Sequence, residues 1–286
     1  MDVAARPASV TIVGMTDIAT RRRVFHQLHQ SGCVIIPNPW DAGSAHLLAQ
    51  LGFRALATTS SGAAWSVGRR DNQVPLPDVL ARVRAIVDAV DVPVSADFEG
   101  AFAIDPEGVA SNMAAVTTTG VAGASIEDST QDPSEPLFDF RLSVERVAAA
   151  RQAIDRTGTG VLLTARSEGF IVGRPDLDET IRRLTAYAEA GADCLYAPGI
   201  RTKEQIAAVV KAVAPKPVNV LVSTDFTTLA ALTELGVRRI SVGGALARVA
   251  WRAFLDAANE MAEHGTFAAL AGAIPGKELN DRFPSS

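Results

Sequence analysis

The sequence predicts a single (β/α)8 barrel of the TIM type, and three observations support this prediction. Eight short apolar runs recur along the chain, and segments with apolar residues at helical spacing separate them. The length of 286 residues fits one such barrel with extensions. Hydrophobic residues make up 48% of the chain and charged residues 21%, which suits a packed core. An open, doubly wound sheet is the alternative that this alternation allows.

The eight apolar runs are the predicted strands. Most of them are β-branched or continuously apolar, as is typical of parallel strands that are covered on both faces. They span residues 34–37, 55–59, 92–96, 122–126, 161–165, 194–197, 218–222 and 239–242.

The segments between the strands are predicted helices. They span residues 42–50, 78–90, 106–119, 143–156, 176–190, 202–213 and 225–235. Capping residues precede four of them, namely Asp78, Ser143, Thr202 and Asp225, and Gly52, Gly120, Gly191 and Gly236 follow four of the helices. This punctuation sets the expected boundaries of the strand–helix units.

Two further helices extend the predicted barrel. Residues 17–30 form one before the first strand, and residues 246–264 form a long one after the eighth, followed by a polar tail. No stretch rich in Pro, Gly or Ser divides the chain. We therefore expect one domain over residues 1–286, with a barrel core at about 31–246 and a C-terminal helical extension at about 246–286.

Charge and composition exclude several classes of partner and location. The net charge of -5 argues against nucleic acid and anionic membranes as partners, and we expect the basic run Arg21-Arg22-Arg23 to be a solvated helix face. Two cysteines give no disulfide framework, which fits a reducing compartment. The sequence has no apolar run of membrane-spanning length and no visible signal peptide. We therefore expect a cytoplasmic protein.

Acidic residues follow two neighbouring predicted strands and point to a metal site. Asp97 and Glu99 follow the third strand, and Glu127 follows the fourth. In a barrel these positions meet at one mouth, where two unit charges about 4 Å apart repel by roughly 4 kcal/mol at an effective dielectric near 20. A hard divalent cation relieves this repulsion, so oxygen ligands of this kind favour Mg²⁺, with Mn²⁺ as a possibility. The alternative is that these acids cap helices or form salt bridges.

One arginine and one long loop complete the predicted mouth. Arg166 directly follows the fifth strand, where its guanidinium fork could bind a substrate carboxylate or pair with Glu127 or Glu168. The second βα loop, residues 60–77, is long enough to act as a lid, although a static surface loop is the alternative. Histidine-ligated zinc is not expected, because all four histidines fall in predicted helices.

Six motifs, taken in order and spacing, resemble the isocitrate lyase / phosphoenolpyruvate mutase superfamily over residues 34–246. They are Pro37-Asn38-Pro39-Trp40-Asp41-Ala42, Thr59-Ser60-Ser61-Gly62, Arg70-Asp71-Asn72, Val92-Pro93-Val94-Ser95-Ala96-Asp97, Gly123-Ala124-Ser125-Ile126-Glu127-Asp128 and Thr164-Ala165-Arg166. The resemblance implies a TIM barrel, a Mg²⁺ cofactor, a small 2-oxo acid substrate and a homo-oligomer, a dimer or a tetramer, in which helix 246–264 packs on a neighbouring subunit.

The resemblance also implies a role for each matching residue. Asp71 corresponds to the acid of a gating loop and Arg166 to an arginine near the reacting centre. The implied catalytic residues are Asp71, Glu127 and Arg166, the implied substrate-binding residues are Trp40, Ser60, Ser61, Gly62, Asp97 and Arg166, and the implied metal ligands are Asp97, Glu99 and Glu127.

Two departures from the family pattern narrow the expected reaction. Glu99 stands where the family has a second aspartate, and residues 129–136 lack the cysteine motif of isocitrate and methylisocitrate lyases. The expected activity is therefore a magnesium-dependent carbon–carbon lyase that forms a pyruvate-type enolate, such as an oxaloacetate decarboxylase or an aldol-type lyase. The alternatives are phosphorus–carbon chemistry, as in phosphonopyruvate hydrolysis or phosphoenolpyruvate mutation, and a non-catalytic 2-oxo acid binder.

Overall fold

Eight parallel strands form one sheet that curls into the predicted barrel. The structure is a computed structural model that describes residues 16–283. The strands are β1 (Val34–Ile35), β2 (Leu56–Ala57), β3 (Val94–Ala96), β4 (Gly123–Glu127), β5 (Leu162–Arg166), β6 (Cys194–Tyr196), β7 (Val218–Leu221) and β8 (Arg239–Ser241). Their order in the sheet is β1-β8-β7-β6-β5-β4-β3-β2. Each predicted run overlaps an observed strand, which confirms the (β/α)8 class.

The barrel closes between β1 and β2 through polar contacts at its mouth. The Ala57 amide donates a hydrogen bond to the Pro37 carbonyl at 3.1 Å. Just after β1, the buried Asn38 side chain donates to the Thr58 carbonyl at 2.8 Å and accepts from the Val242 and Gly243 amides at 2.8 and 2.9 Å. One amide side chain thus joins the ends of β2, β1 and β8.

The helices surround the sheet, and most begin at a capping residue. They are α1 (Ile18–Gln30), α2 (Ala42–Gln50), α3 (Ser60–Ser66), α4 (Leu76–Asp88), α5 (Pro106–Thr117), α6 (Phe140–Thr157), α7 (Leu177–Glu189), α8 (Lys203–Val213), α9 (Leu229–Glu234), α10 (Ala245–His264) and α11 (Gly276–Asn280). Thr202 caps α8 as predicted. The caps of α4, α6 and α9 are Pro75, Asp139 and Thr228 rather than the predicted Asp78, Ser143 and Asp225.

Helix α1 covers the bottom of the barrel, at the amino ends of the strands. Its Phe25 and Leu28 pack into the barrel interior against residues of β1, β5 and β6. The expectation that Arg21-Arg22-Arg23 is a solvated face was wrong for its first two residues. Arg21 is buried and donates to the Val87 carbonyl, and Arg22 donates to the Val121 and Thr117 carbonyls. Both guanidinium groups thus donate hydrogen bonds to backbone carbonyls near the ends of helices and strands. Carbonyls at a helix end have no partner within the helix, so they need donors of this kind.

The C-terminal helix α10 has an exposed apolar face. Ala247 is its only buried residue, whereas Val249, Phe254 and Leu255 are 69%, 59% and 49% exposed. The tail beyond it is not simply a polar extension. It contains a 3-10 helix (Ala268–Gly272) and α11. It also contacts the barrel, because His46 and Gln50 of α2 hydrogen-bond to the carbonyl of Arg282. Within residues 16–283, every helix is too short or too polar to cross a membrane.

Replacing Asn38 by alanine should destabilise the fold strongly. The substitution leaves one buried carbonyl and two backbone amides without their partner, at about 1–3 kcal/mol for each unsatisfied group. We expect the free energy of unfolding to fall by about 3 kcal/mol or more in urea titrations. Asn280→Ala, an exposed substitution in α11, should change it by less than about 0.5 kcal/mol. Equal stability of the two variants would contradict a structural role for Asn38.

Candidate active site

A cavity of about 170 Å³ opens at the carboxyl ends of the strands. Drug-sized sites typically occupy about 300–1,000 Å³, so this cavity suits a small acid better than a nucleotide cofactor. Its wall combines residues of the mouth with residues deeper in the barrel, including Ser60, Ser61, Asp71, Asp97, Arg166, Glu168, Tyr196, Asn219, Arg239 and Ser241.

Arg166 is the centre of charge at this mouth. As the last residue of β5, it directs its three guanidinium nitrogens to three carboxylates. Nη1 lies 2.7 Å from Asp97 Oδ1, Nη2 lies 3.1 Å from Glu127 Oε2, and Nε lies 2.8 Å from Glu168 Oε1. Its plane also lies 5.2 Å from the centre of the Tyr196 ring. The arginine therefore joins the ends of β3, β4 and β5 through charged hydrogen bonds to Asp97 and Glu168 and an ion pair with Glu127.

Asp97 is held from both sides. One carboxylate oxygen accepts from Arg166, and the other accepts from the Ser60 amide at 3.0 Å. That amide is the first of α3, a helix that Thr59 caps. The positive end of a helix dipole therefore faces a carboxylate, which is favourable. The sequence prediction treated this segment as the start of a loop.

Glu99 lies in a turn with an uncommon backbone. Glu99, Ala101 and Phe102 all have positive φ, at 48°, 57° and 55°, a region that residues with a Cβ enter at a cost in energy. Buried Arg146 of α6 supports the turn by donating through Nη2 to the carbonyls of Gly100 and Ala103. The turn places Glu99 behind Asp97, away from the wall of the cavity, so that its carboxyl is buried.

The acids around Arg166 outnumber the positive charge. Burial raises the pKa of Glu127 well above its ordinary value, although Arg166 opposes this effect and the charge of Glu168 adds to it. Burial likewise raises the pKa of Glu168 against the pull of Arg166. For Arg166 itself, burial would lower the pKa, but the carboxylates raise it well above the usual range. The arginine thus stays charged while its partners compete for it.

Two further carboxyls at the mouth carry raised pKa values. Burial raises the pKa of Glu99 to about 8, and the charges of Asp97 and Asp71 contribute. Asp71 lies at the solvent edge of the cavity, where the atoms packed against its carboxyl raise its pKa and Asp97 adds to the rise. A single arginine therefore does not neutralise this group of acids.

The donor chemistry of the mouth fits a hard divalent cation. Asp97, Glu99 and Glu127 offer only oxygen, and burial, together with the neighbouring carboxylates, raises the pKa values of Glu99 and Glu127. Within residues 16–283, no three acidic, histidine or cysteine side chains already converge on one point. Mg²⁺ does not need such a cage, because it keeps several waters and binds through one or two carboxylates. Asp97, which faces the cavity, is the residue best placed to bind it directly.

A chain of hydrogen bonds joins the predicted lid to the charged centre. Asn72, beside Asp71, donates to the Gln131 side chain at 3.1 Å, and Gln131 donates to Glu127 Oε1 at 3.2 Å. Glu127 in turn pairs with Arg166. The loop after β2 therefore contacts the centre through a residue of the β4–α6 loop that the sequence analysis did not single out.

The structure brings most of the predicted site residues together, but Trp40, Gly62 and Glu99 do not line the cavity. Ser60, Ser61, Asp71, Asp97 and Arg166 line the cavity, and Glu127 reaches Arg166 from behind it. Trp40 and Gly62 lie outside the cavity wall: the Gly62 amide donates to Thr59 Oγ1, and a Cβ at Gly62 would lie 3.0 Å from that of Trp40. Both residues support the start of α3.

Sequence reasoning missed Glu168 and Tyr196 as site residues. Glu168 stands two positions after Arg166, so the two-residue period of a strand could have placed both on one side. Its amide donates to Asp128 Oδ1 at 2.8 Å, and Asp128 also accepts from Tyr187 at 2.7 Å and pairs with Arg183 at 3.2 Å. Asp128 is therefore a structural residue that fixes the Arg166–Glu168 turn.

The fold and the site define an α/β-barrel protein whose titratable groups gather at the carboxyl ends of its strands, the arrangement of barrel enzymes. Residues 25–262 match the family model of phosphoenolpyruvate phosphomutase. The chain belongs to the phosphoenolpyruvate mutase / isocitrate lyase superfamily, as the resemblance of its motifs indicated.

Three similar proteins illustrate this membership. A crystal structure from Burkholderia cenocepacia, provisionally described as a lyase/mutase, is 47% identical, with a TM-score of 0.88 over 92% of this chain and 95% of that one. An uncharacterised protein of Mycobacterium tuberculosis is 32% identical over 77% of this chain and 81% of its own length. Oxaloacetate decarboxylase of Paraburkholderia xenovorans is 28% identical over 68% of this chain and 66% of its own length.

Glu99 should make the metal-free protein less stable as the pH rises. Its folded pKa of about 8 lies above the unfolded value of 4.5, so its contribution is fully present below pH 4.5 and is lost as the pH rises through 8. Between these pH values the wild type should therefore lose about 1 kcal/mol of its free energy of unfolding per pH unit. Glu99→Gln should not show this loss. Urea unfolding in EDTA between pH 5 and 8 measures this effect. Glu107→Gln on α5 is the surface control, and identical pH slopes for Glu99→Gln and the wild type would contradict the assignment.

Proposed function

We propose that this protein is a magnesium-dependent lyase that cleaves a carbon–carbon bond next to a 2-oxo acid, with Mn²⁺ as a possible substitute. The observation that carries the proposal is Arg166, held between Asp97, Glu127 and Glu168 at the wall of a small cavity. The similarity to an oxaloacetate decarboxylase supports the same reaction class.

Substrate binding in this proposal starts from Arg166. Its Nη1 pairs with Asp97 in the structure, and this nitrogen would bind a substrate carboxylate if Asp97 held the cation instead. Nε and Nη2 stay on Glu168 and Glu127, so the guanidinium keeps its orientation during the exchange. The Ser61 hydroxyl lines the same wall and can donate to the substrate.

Asp97 would hold the cation directly, and Glu99 and Glu127 would do so through water. When bound, the metal polarises the keto oxygen and stabilises enolate charge. Arg166 holds the carboxylate of the 2-oxo acid, so the keto group stays oriented toward Asp97. In the metal-free protein the pKa of Glu99 is raised to about 8, so binding of the cation would favour release of its proton.

The leaving group that this site favours is carbon dioxide. A leaving carbanion or enolate needs an acid to protonate it, whereas carbon dioxide does not. Neither cysteine lines the cavity, because Cys194 is buried in β6 and Cys33 lies before β1. Oxaloacetate decarboxylation, or a related cleavage of a small 2-oxo diacid, is therefore the preferred reaction.

The end of α3 and the loop that follows it, residues 64–74, form the proposed lid. Asp71 lines the cavity at its outer edge, and Asn72 connects to Glu127 through Gln131. A lid here would exclude the water that could protonate an enolate before the reaction is complete. Its contact with Glu127 would couple closure to the state of the charged centre.

A phosphorus–carbon reaction is the second candidate. The matching family model is that of phosphoenolpyruvate phosphomutase, and a phosphonate, like a carboxylate, is an anion that a guanidinium fork binds. The two candidates predict different products: carbon dioxide and pyruvate from oxaloacetate, or phosphate and pyruvate from phosphonopyruvate.

The proposed partner is a second copy of this chain. Most large apolar side chains of α10 are exposed, and exposed apolar surface of this extent marks interaction sites. A dimer or tetramer in which α10 packs on a neighbouring barrel would cover this face.

The function is tested with a panel of 2-oxo acids in the presence of Mg²⁺, scored for pyruvate, carbon dioxide and phosphate. We expect oxaloacetate to release pyruvate and carbon dioxide in a reaction that EDTA stops. Oxalate, a flat mimic of the pyruvate enolate, should inhibit it. Phosphate from phosphonopyruvate alone would favour the second candidate, and binding without turnover of any acid would favour a non-catalytic binder.

Asp97→Asn should lose at least about a hundredfold in kcat/KM, the scale on which single stabilising groups act in active sites. The amide keeps the size of the side chain but removes the charge that would bind the cation and pair with Arg166. Steady-state kinetics over a range of Mg²⁺ concentrations measure the loss. Asp88→Asn, at the end of α4, should keep wild-type rates. Full activity of Asp97→Asn, or of the wild type in excess chelator, would exclude the assigned metal site.

Phe254→Glu should shift the protein toward the monomer. The side chain is 59% exposed in one chain, and burying a carboxylate at an apolar contact is unfavourable. Light scattering at micromolar concentration should show a wild-type dimer or tetramer and a smaller species for the variant. Ile104→Glu, at a 67% exposed position outside α10, should leave the assembly unchanged. A monomeric wild type would overturn the proposed partner.

A further inference from the structure

A second guanidinium, that of Arg239, lines the same cavity without a carboxylate partner. Arg239 begins β8 and is only 4% exposed. Its Nε donates to Asn219 Oδ1 at 2.9 Å, and its Nη1 lies 3.4 Å from His29 Nε2. Nη2 makes no hydrogen bond to any group within residues 16–283, and no acidic side chain there lies within 4.0 Å of the guanidinium.

The neighbours of Arg239 leave its charge uncompensated. Asn219 is neutral, and burial together with the positive charge of Arg239 lowers the pKa of His29 to about 3, so the imidazole is neutral too. The floor around them is apolar, with Phe25 and Leu28 of α1 packed into it. Buried charges in proteins are normally paired, because an unpaired charge in an apolar interior is costly. An anion from the cavity would supply the missing partner.

The sheet register connects this cation to Arg166. Glu127 pairs in register with Arg166, Arg166 with Tyr196, Tyr196 with Asn219, and Asn219 with Arg239. Neighbouring strands lie about 4.8 Å apart, so three steps separate the two arginines by about 14 Å along the curved wall. Both side chains face the interior of the barrel, which brings their guanidinium groups closer together than their backbones. The cavity therefore has a cation at each end of this row.

We propose that Arg239 binds a second carboxylate of the substrate, in a subsite that Asn219 and Ser241 complete. Asn219 donates to the Ser241 hydroxyl at 2.9 Å, and both side chains line the cavity. The inference rests on the proposed function for the other end of the substrate, where Arg166 binds the carboxylate next to the keto group. It defines the substrate class as 2-oxo acids with two carboxylates and predicts discrimination against monocarboxylic analogues.

The test compares two ligands that differ only at their far end. Oxaloacetate and 2-oxobutyrate share the 2-oxo acid group, and a carboxylate of the first replaces a methyl group of the second. Calorimetric titration in Mg²⁺, corrected for the heat of any turnover, measures both dissociation constants with the cation present. The wild type should bind oxaloacetate about tenfold more tightly or better, as expected for a charge-assisted pair. Equal affinities in the wild type would overturn the proposal.

Arg239→Gln should reduce this preference to within about twofold while leaving the affinity for oxalate, which is too short to reach the subsite, unchanged. Arg239→Lys, which keeps the charge but not the fork, should lose at least about threefold of the preference. His29→Gln is the matched control, since it contacts the same guanidinium from α1 but does not line the cavity, and it should keep the wild-type preference. An undiminished preference in a folded Arg239→Gln, or in Arg239→Lys if the glutamine variant does not fold, would overturn the proposal.

The titrations separate this inference from the proposed function. If no 2-oxo acid turns over but the preference for oxaloacetate disappears in Arg239→Gln, the lyase assignment fails and the carboxylate subsite stands. If oxaloacetate turns over and Arg239→Gln keeps both rate and preference, the lyase assignment stands and the subsite fails.

Discussion

The mouth of this barrel depends on the contacts of one guanidinium with three carboxylates. Arg166 stands at the end of β5 and fixes the ends of β3 and β4, through Asp97 and Glu127, and its own following turn, through Glu168. When such charges are buried they depend strongly on one another, because removal of the arginine or of a carboxylate leaves an unpaired charge. Three carboxylates contact this single positive charge, so the balance of charge is incomplete. Because the charges do not balance, the site can bind a cation and an anionic ligand together.

The turn after β3 shows how local strain serves this arrangement. Three residues with a Cβ adopt positive φ there, each at a cost of about 1–3 kcal/mol, and such strain persists only where the surroundings enforce it. Arg146 provides that enforcement: it is buried, donates to two carbonyls of the turn and lies 3.8 Å from the centre of the Phe138 ring. Helix α6 therefore influences the site without lining its cavity.

The sequence predicts the strands and the residues at their ends well, because apolar runs and the alternation of a barrel are local patterns. Asp97, Glu127 and Arg166 were located on this basis, and the structure brings them together. Features that depend on contacts between distant parts of the chain could not be predicted from these local patterns. Helix α3 and the burial of Arg21 arise from tertiary contacts, and the link from Asn72 to Gln131 joins residues 59 positions apart. The unpaired state of Arg239 could be recognised only once its neighbours were known.

Closure of the barrel through Asn38 has a consequence for how the chain matures during synthesis. The side chain that joins β1 to β8 contacts a residue 204 positions later. At about 5–20 residues per second, a ribosome needs roughly 10–40 s to produce that partner. During this interval the nascent sheet has an open edge at β1, which in a longer strand would invite pairing with other chains. β1 is only two residues long, so the edge that waits longest for its neighbour is a poor template for aggregation.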